Sequence, residues 1–137
     1  MNPGQELFGA LLVALRKAYP GMVYDSFLPP EETPYPFIYL NGTYEIEDFR
    51  MKGAYFGQTA ISIDVWHNDP TQRGTVDSLL FSVRQIARAL DRTDNYNWCL
   101  SACTLEYMPD YTTSQPLYKG ILSLEFKHYR RRNNEQL

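Results

Sequence analysis

The sequence predicts an α+β domain: a largely antiparallel β-sheet with two α-helices packed on one face, in the order α-β-β-loop-β-α-β-β. Three observations lead there. An alternating run, Ile61-Ser62-Ile63-Asp64-Val65-Trp66, breaks at Asn68-Asp69-Pro70 and gives way to an amphipathic stretch over 76–90. Such a switch from period two to period 3.6 marks a strand feeding a helix across a tight turn. A second helical stripe opens the chain, and further alternating runs lie on both sides of the central unit. Neighbouring strands that keep one polar face favour an antiparallel sheet whose apolar face the helices cover.

The elements follow in order. Asn2-Pro3-Gly4-Gln5 reads as a helix start, with Asn as N-cap, Pro at the first helical position and Gln three residues after the cap. Leu7, Leu11, Leu12 and Leu15 line one face with Phe8 beside them, Arg16 and Lys17 complement the carbonyl end of the dipole, and Pro20-Gly21 stops the helix. Residues 22–27 alternate as a strand, until Pro29-Pro30 removes ladder donors. Residues 37–40 form a short strand that ends at the turn pair Asn41-Gly42. These two strands are expected to pair antiparallel through the proline-rich loop.

Residues 44–57 lack a sustained period and read as a ragged hairpin or a loop of more than ten residues; long loops in compact domains are functional or disordered. Residues 59–66 are the clearest strand, with Ile61, Ile63 and Val65 on one face and Ser62, Asp64 and Trp66 on the other. Val76, Leu79, Leu80, Val83, Ile86, Ala87 and Leu90 mark the core stripe of the second helix, with Gly74 in the turn before it. Residues 91–97 are polar turn material. Residues 99–108 form a strand with Cys103, Leu105 and Tyr107 on one face, and 109–116 form a loop. The last strand, 117–129, turns Leu122, Leu124 and Phe126 inward against Ser123, Glu125 and Lys127. One domain over 1–129 and a frayed basic tail over 130–137 complete the reading.

Composition bounds the function. At 137 residues the chain is large enough to form one self-sufficient core. No apolar run reaches the ~18 residues a membrane span requires, and residues 7–15 lack the flanks of a secretory signal. A formal net charge of −3 argues against a grip on nucleic acid, which depends on many cationic contacts. Cys99 and Cys103, the two cysteines, would stand ~13 Å apart along one strand, too far for the ~5.5 Å of a disulfide. They are expected on the same face as buried thiols in a reducing compartment. Eleven tyrosines are the compositional oddity; their large body and polar tip suit either a partnered surface or the rim of a small core.

No constellation for chemistry emerges. His67 and His128 have no ligand cluster near them in sequence and read as capping or exposed side chains. Asp64 and His67 point to opposite faces of a strand. Glu45, Glu47 and Asp48 could in principle hold a divalent cation, but Arg50 and Lys52 beside them favour a charge-mixed solvated loop. Arg130-Arg131-Arg132 reads as a solubilising tail before it reads as a phosphate or acidic-partner site. Phosphate loops and nucleophile elbows are absent from the sequence. No catalytic, metal-binding or cofactor-binding residues are assigned.

The series Val23-Tyr24-Asp25, Leu28-Pro29, Tyr35-Pro36-Phe37-Ile38, the run from Ile61 to Trp66, and Arg73-Gly74 opening a helix resembles tail-completion proteins of long-tailed bacteriophages, also called tail terminators or tail-to-head joining proteins. The resemblance spans most of the chain and lies in order and length. It implies a structural virion protein without enzymatic activity or cofactor. Such a protein would form a ring, commonly of six subunits, on the head-proximal end of the tail tube. Its partners would be further copies of itself, the tail tube protein and the head-completion or connector protein, with phage DNA passing through the lumen and no membrane involved. Assembly would take place in the host cytoplasm and the product would sit at the head–tail junction. The residues assigned to the interfaces are Tyr44, Ile46, Phe49, Arg50, Met51, Lys52, Tyr55, Phe56 and Tyr111, together with the sheet edge beside 22–27. Other readings are a head-side stopper or adaptor ring and a small metal-dependent hydrolase or nuclease built on Glu45, Glu47 and Asp48.

Overall fold

A computed structural model describes residues 2–25, 34–48, 56–111 and 116–131. Helix α1 (Pro3–Ala18) is followed by strands β1 (Val23–Tyr24), β2 (Phe37–Asp48) and β3 (Phe56–His67), helix α2 (Arg73–Ala89), and strands β4 (Tyr96–Asp110) and β5 (Leu117–Arg130). The strands form one sheet in the order β1-β2-β3-β5-β4. Both helices cover the same face, as the alternation of the strands requires. Leu7, Leu11 and Leu15 of α1 and Val76, Leu80, Val83 and Ala87 of α2 are buried against Ile38, Leu40, Ile61, Ile63, Val65, Leu122, Leu124 and Phe126. No described helix is long and apolar enough to cross a membrane.

Local sequence explains both helices. The Asn2 side chain accepts the backbone N–H groups of Gly4 and Gln5, satisfying donors that a helix start leaves orphaned. Helix α2 has no side-chain cap on its backbone; Gln72 precedes it and accepts the Thr75 hydroxyl. Gly74 belongs to this helix as its second residue rather than to the preceding turn. The first turn tolerates it because the helix is held by its buried stripe.

Three strand assignments change. Strand β1 pairs with β2 in parallel, Val23 beside Ile38 and Tyr24 beside Tyr39, where an antiparallel pair was expected. Twelve residues separate Tyr24 from Phe37, and a connection of that length returns the chain to its starting end, as parallel pairing demands. Strand β2 does not stop at Asn41-Gly42. A register irregularity between Leu40 and Thr43 absorbs the pair, and the Asn41 amide donates to the Ser62 carbonyl and hydroxyl. The ladder then continues through Tyr44 to Asp48 against β3, so this part of the ambiguous segment is one arm of a hairpin; 49–55 lies outside the described residues.

Strand β4 is longer than its expected core, beginning at Tyr96 and running through Pro109 to Asp110. A bulge between Leu100 and Ala102 shifts its parity. Cys99 therefore lies opposite exposed Lys127, and Cys103 opposite buried Leu124, so the thiols face opposite sides of the sheet. Cys99 is exposed and Cys103 half-buried, which corrects the expectation of two buried thiols on one face. An odd insertion in a strand reverses the facing of everything beyond it.

His128 also departs from expectation. It is only 2% exposed, with Nδ1 3.1 Å from the Thr59 hydroxyl and its ring against Trp98 and Tyr96. Past β5, the Arg131 N–H donates to the Asn95 carbonyl and its guanidinium to the Thr93 carbonyl; residues 132–137 are outside the described set.

Gly120 sets how closely α2 approaches the sheet. A Cβ there would stand 2.4 Å from Leu80 Cδ1 and 2.9 Å from Val76 Cγ1, both in the sealed core. Gly120→Val is expected to destabilise the protein by about 1–3 kcal/mol through overpacking, read as a lower urea midpoint with an unchanged slope.

Candidate functional site

Two of the side chains that the interface reading singled out lie on the helix-free face of the sheet. Tyr44 and Ile46 project from the second half of β2 and are 67% and 53% exposed. They pair with Ala60 and Gln58 of β3, and with Ser62 and Ser123 they line a shallow groove of about 400 Å³. Tyr111, 69% exposed, follows the end of β4 at the opposite end of the sheet and beyond the opposite edge. The structure therefore brings Tyr44 and Ile46 together and separates Tyr111 from them. Phe56 opens β3, its backbone paired with Asp48 and Tyr129. Phe49, Arg50, Met51, Lys52 and Tyr55 lie outside the described residues.

Sequence reasoning missed a second exposed apolar strip. Leu105, Tyr107 and Met108 of β4 are all partly exposed. Leu105 and Tyr107 do lie on the helix-bearing side, opposite Leu122 and Gly120. They remain open because β4 is the outermost strand, a position that periodicity alone does not reveal. The Tyr107 hydroxyl donates to Asp77 of α2. That bond, reinforced by partial burial, pushes the phenol up to about 12.

At the other end of the bare face, aromatic side chains stack. The Phe37 and Trp66 rings lie 6.4 Å apart, Tyr24 meets Phe37 edge-on, and the Lys119 ammonium sits 4.7 Å from the Trp66 ring centre. Asp64 is nearly buried on this face, and burial raises its carboxyl above the usual range against the opposing effects of Asn41 and Lys119.

The carboxylates that fold into defined positions serve as struts. Glu45 accepts the Gly4 N–H at 2.9 Å and the Asn2 amide at 3.0 Å, so it sits at the positive end of α1 rather than in a cation cage. A side chain at Gly4 would collide with it: an added Cβ would stand 2.8 Å from Glu45 Oε2. Glu6 accepts from the Thr93 hydroxyl and from the Asn95 backbone and amide, tying α1 to the turn before β4. Burial opposes its ionisation, but these hydrogen bonds outweigh that penalty and hold the carboxyl below the usual range. Among the described residues, no group of three or more His, Cys, Asp or Glu side chains is arranged to hold a metal ion.

No family model and no curated protein sequence matches the chain. Among solved structures, the fold is similar to that of a chain in the virion of a native gene transfer agent (GTA) particle, with a TM-score of 0.56, 12% identity and 93% of each chain covered. At that identity the likeness establishes a shared fold.

Two substitutions test the struts. Glu45→Ala removes the second acceptor at the start of α1 and is expected to cost about 0.5–2 kcal/mol, the range for a lost helix cap, measured by thermal melting. Glu6→Gln is expected to cost about 1–3 kcal/mol at neutral pH, as for hydrogen bonds to a charged group. Because the folded carboxyl titrates below its unfolded value, this stabilisation is complete above the ordinary glutamate range. It fades as pH falls through and below that range, so the wild-type and Glu6→Gln stability curves should converge in acid.

Proposed function

We propose that this protein is a structural component of a phage-like virion and, within it, a tail terminator. In this reading it forms a ring, of six copies by the sequence resemblance, that caps the head-proximal end of the tail tube, ends tube growth and meets the head connector. DNA passes through the ring's lumen. Phe49, Arg50, Met51, Lys52, Tyr55 and Phe56 and the exposed Tyr44, Ile46 and Tyr111 are its contact residues, and the head–tail junction is its place. The observation that carries the reading is the fold shared with a virion chain over 93% of both lengths, in agreement with the ordered resemblance read from the sequence.

Two features of the molecule support assembly over catalysis. A small domain that leaves one sheet face bare keeps surface for more than one partner, and a ring requires two unlike patches per subunit. The carboxylate Glu45, which a hydrolase would need, is instead committed to the start of α1. A head-side stopper or adaptor ring draws on the same fold likeness, because that likeness is to a chain of a whole particle; partner identity separates the two roles.

Light scattering coupled to size exclusion, together with addition to growing tail tubes, tests the proposal. The expected result is a ring, alone or on tubes, and tubes that stop at a defined length. Tubes that lengthen unchanged in its presence would overturn the terminator role, and binding to a portal complex in place of the tube would establish the head-side one.

A further inference from the structure

Besides the two-residue outer edge of β1, two longer stretches of strand edge have no strand beside them among the described residues, and they lie diagonally across the sheet. On one side, β1 covers β2 only at Ile38 and Tyr39, leaving 42–48 open. On the other, the turn before β4 folds against its first residues through the Arg92–Asn97 bridge and the Trp98 N–H to the Asp91 carbonyl, leaving 99–109 open. An open edge is a row of backbone donors and acceptors that will add another strand unless it is blunted. Neither stretch contains lysine, and proline enters only at Pro109. The charges present are Glu45, which turns to the start of α1, Glu47 and Asp48 at the end of β2, and Glu106, and the bulge of β4 lies near the start of 99–109. Of the nine exposed large hydrophobic side chains among the described residues, six, Tyr44, Ile46, Leu105, Tyr107, Met108 and Tyr111, stand on these two stretches or just beyond them.

We propose that the two edges join copies of this chain head to tail. The 99–109 edge of one protomer adds to the 42–48 edge of the next, so the sheets continue into a closed band with the helices outside and the bare face lining the lumen. The inference rests on the ring reading above and gives it a specific interface. Strand polarity favours it. Strands β2, β3, β5 and β4 alternate in direction across the sheet. Consequently β2 of a copy related by rotation about an axis along the strands arrives antiparallel to β4.

The diagonal offset supplies the hand. Strands β3 and β4 are parallel with β5 between them, and the crossover through α2 follows the right-handed rule. Seen from the helix side with β3 pointing up, 42–48 then lies low on the left edge and 99–109 reaches high on the right. Placing Ile46 opposite Thr104, which share a face and register with Gln58 and Ser62 of β3, raises each copy to the right by four residues, or ~13 Å, over four strands spaced ~4.8 Å. A strand tilt of about 35° to the ring axis absorbs that step, inside the range of closed barrels. Barrels tilt in the one sense set by strand twist, and the step has that sense only when the helices are outside. With the bare face outward, the same pairing would demand the opposite tilt.

Crosslinking of the full chain tests the interface. In a Cys99→Ser, Cys103→Ser background, Ile46→Cys is combined in turn with Ala102→Cys, Thr104→Cys and Glu106→Cys, which share its face of the sheet. One combination is expected to oxidise into a ladder of crosslinked oligomers on a non-reducing gel, whereas Ile46→Cys with Leu105→Cys, on opposite faces, gives none. Thr104→Lys places a blocking charge on the exposed edge; it is expected to abolish assembly while the far-UV circular dichroism of the folded chain stays unchanged. Assembled protein in which none of the three combinations crosslinks would overturn edge pairing, as would a chain that stays monomeric both at high concentration and with tubes. A ladder in a protein that fails to halt tube growth would keep the interface and end the terminator reading. Halted tubes without any crosslink would do the reverse.

Discussion

Two helices laid on a twisted five-stranded sheet cover one of its faces, and the other features of this molecule depend on that one-sided burial. Along β5 the contrast is direct: Leu122, Leu124 and Phe126 are sealed beneath the helices while Ser123, Glu125 and Lys127 face outward. Burial of the inner set supplies the main stabilising term at roughly 25 cal/mol per Å² of apolar surface. Where α2 crosses β5, Gly120 lets Leu80 and Val76 settle directly onto the strand. The outer face contributes little to that core and remains available for contact.

Three ionisable side chains tie the helices to the rest of the fold. Glu45 binds the first backbone donor of α1 from the sheet side, while Glu6 reaches from α1 to Thr93 and Asn95. Tyr107 links β4 to α2 through Asp77. Each is a long-range bond between elements distant in sequence, so each fixes where a helix sits and not whether it forms.

Periodicity made the helices and the central strands legible, since the Leu7–Leu11–Leu15 and Val76–Leu80–Val83–Ala87 stripes and the Ile61–Ile63–Val65 alternation are local signals. Turn chemistry misled where a ladder overrode it: Asn41-Gly42, a strong turn pair, is absorbed as an irregularity inside β2. The same kind of irregularity near Leu100 turned Cys99 outward, since one extra residue reverses the facing of a strand. Tyr44 and Ile46 were recognised as exposed apolar residues in an irregular segment. Leu105, Tyr107 and Met108 were not, because their inward or alternating pattern is that of any strand with a neighbour on both sides.

The sequence by itself determined the core faces of the helices and the central strands, because alternation and the 3.6-residue stripe are written into neighbouring positions. It also determined that burial without disulfides suffices at this length. Strand order was decided only in three dimensions: β5 inserts between β3 and β4, β1 lies parallel to β2, and β4 is left at the rim. Those choices arise from contacts between residues far apart along the chain, whose free energies no local window contains, and they alone determine which edges lack a neighbouring strand among the described residues.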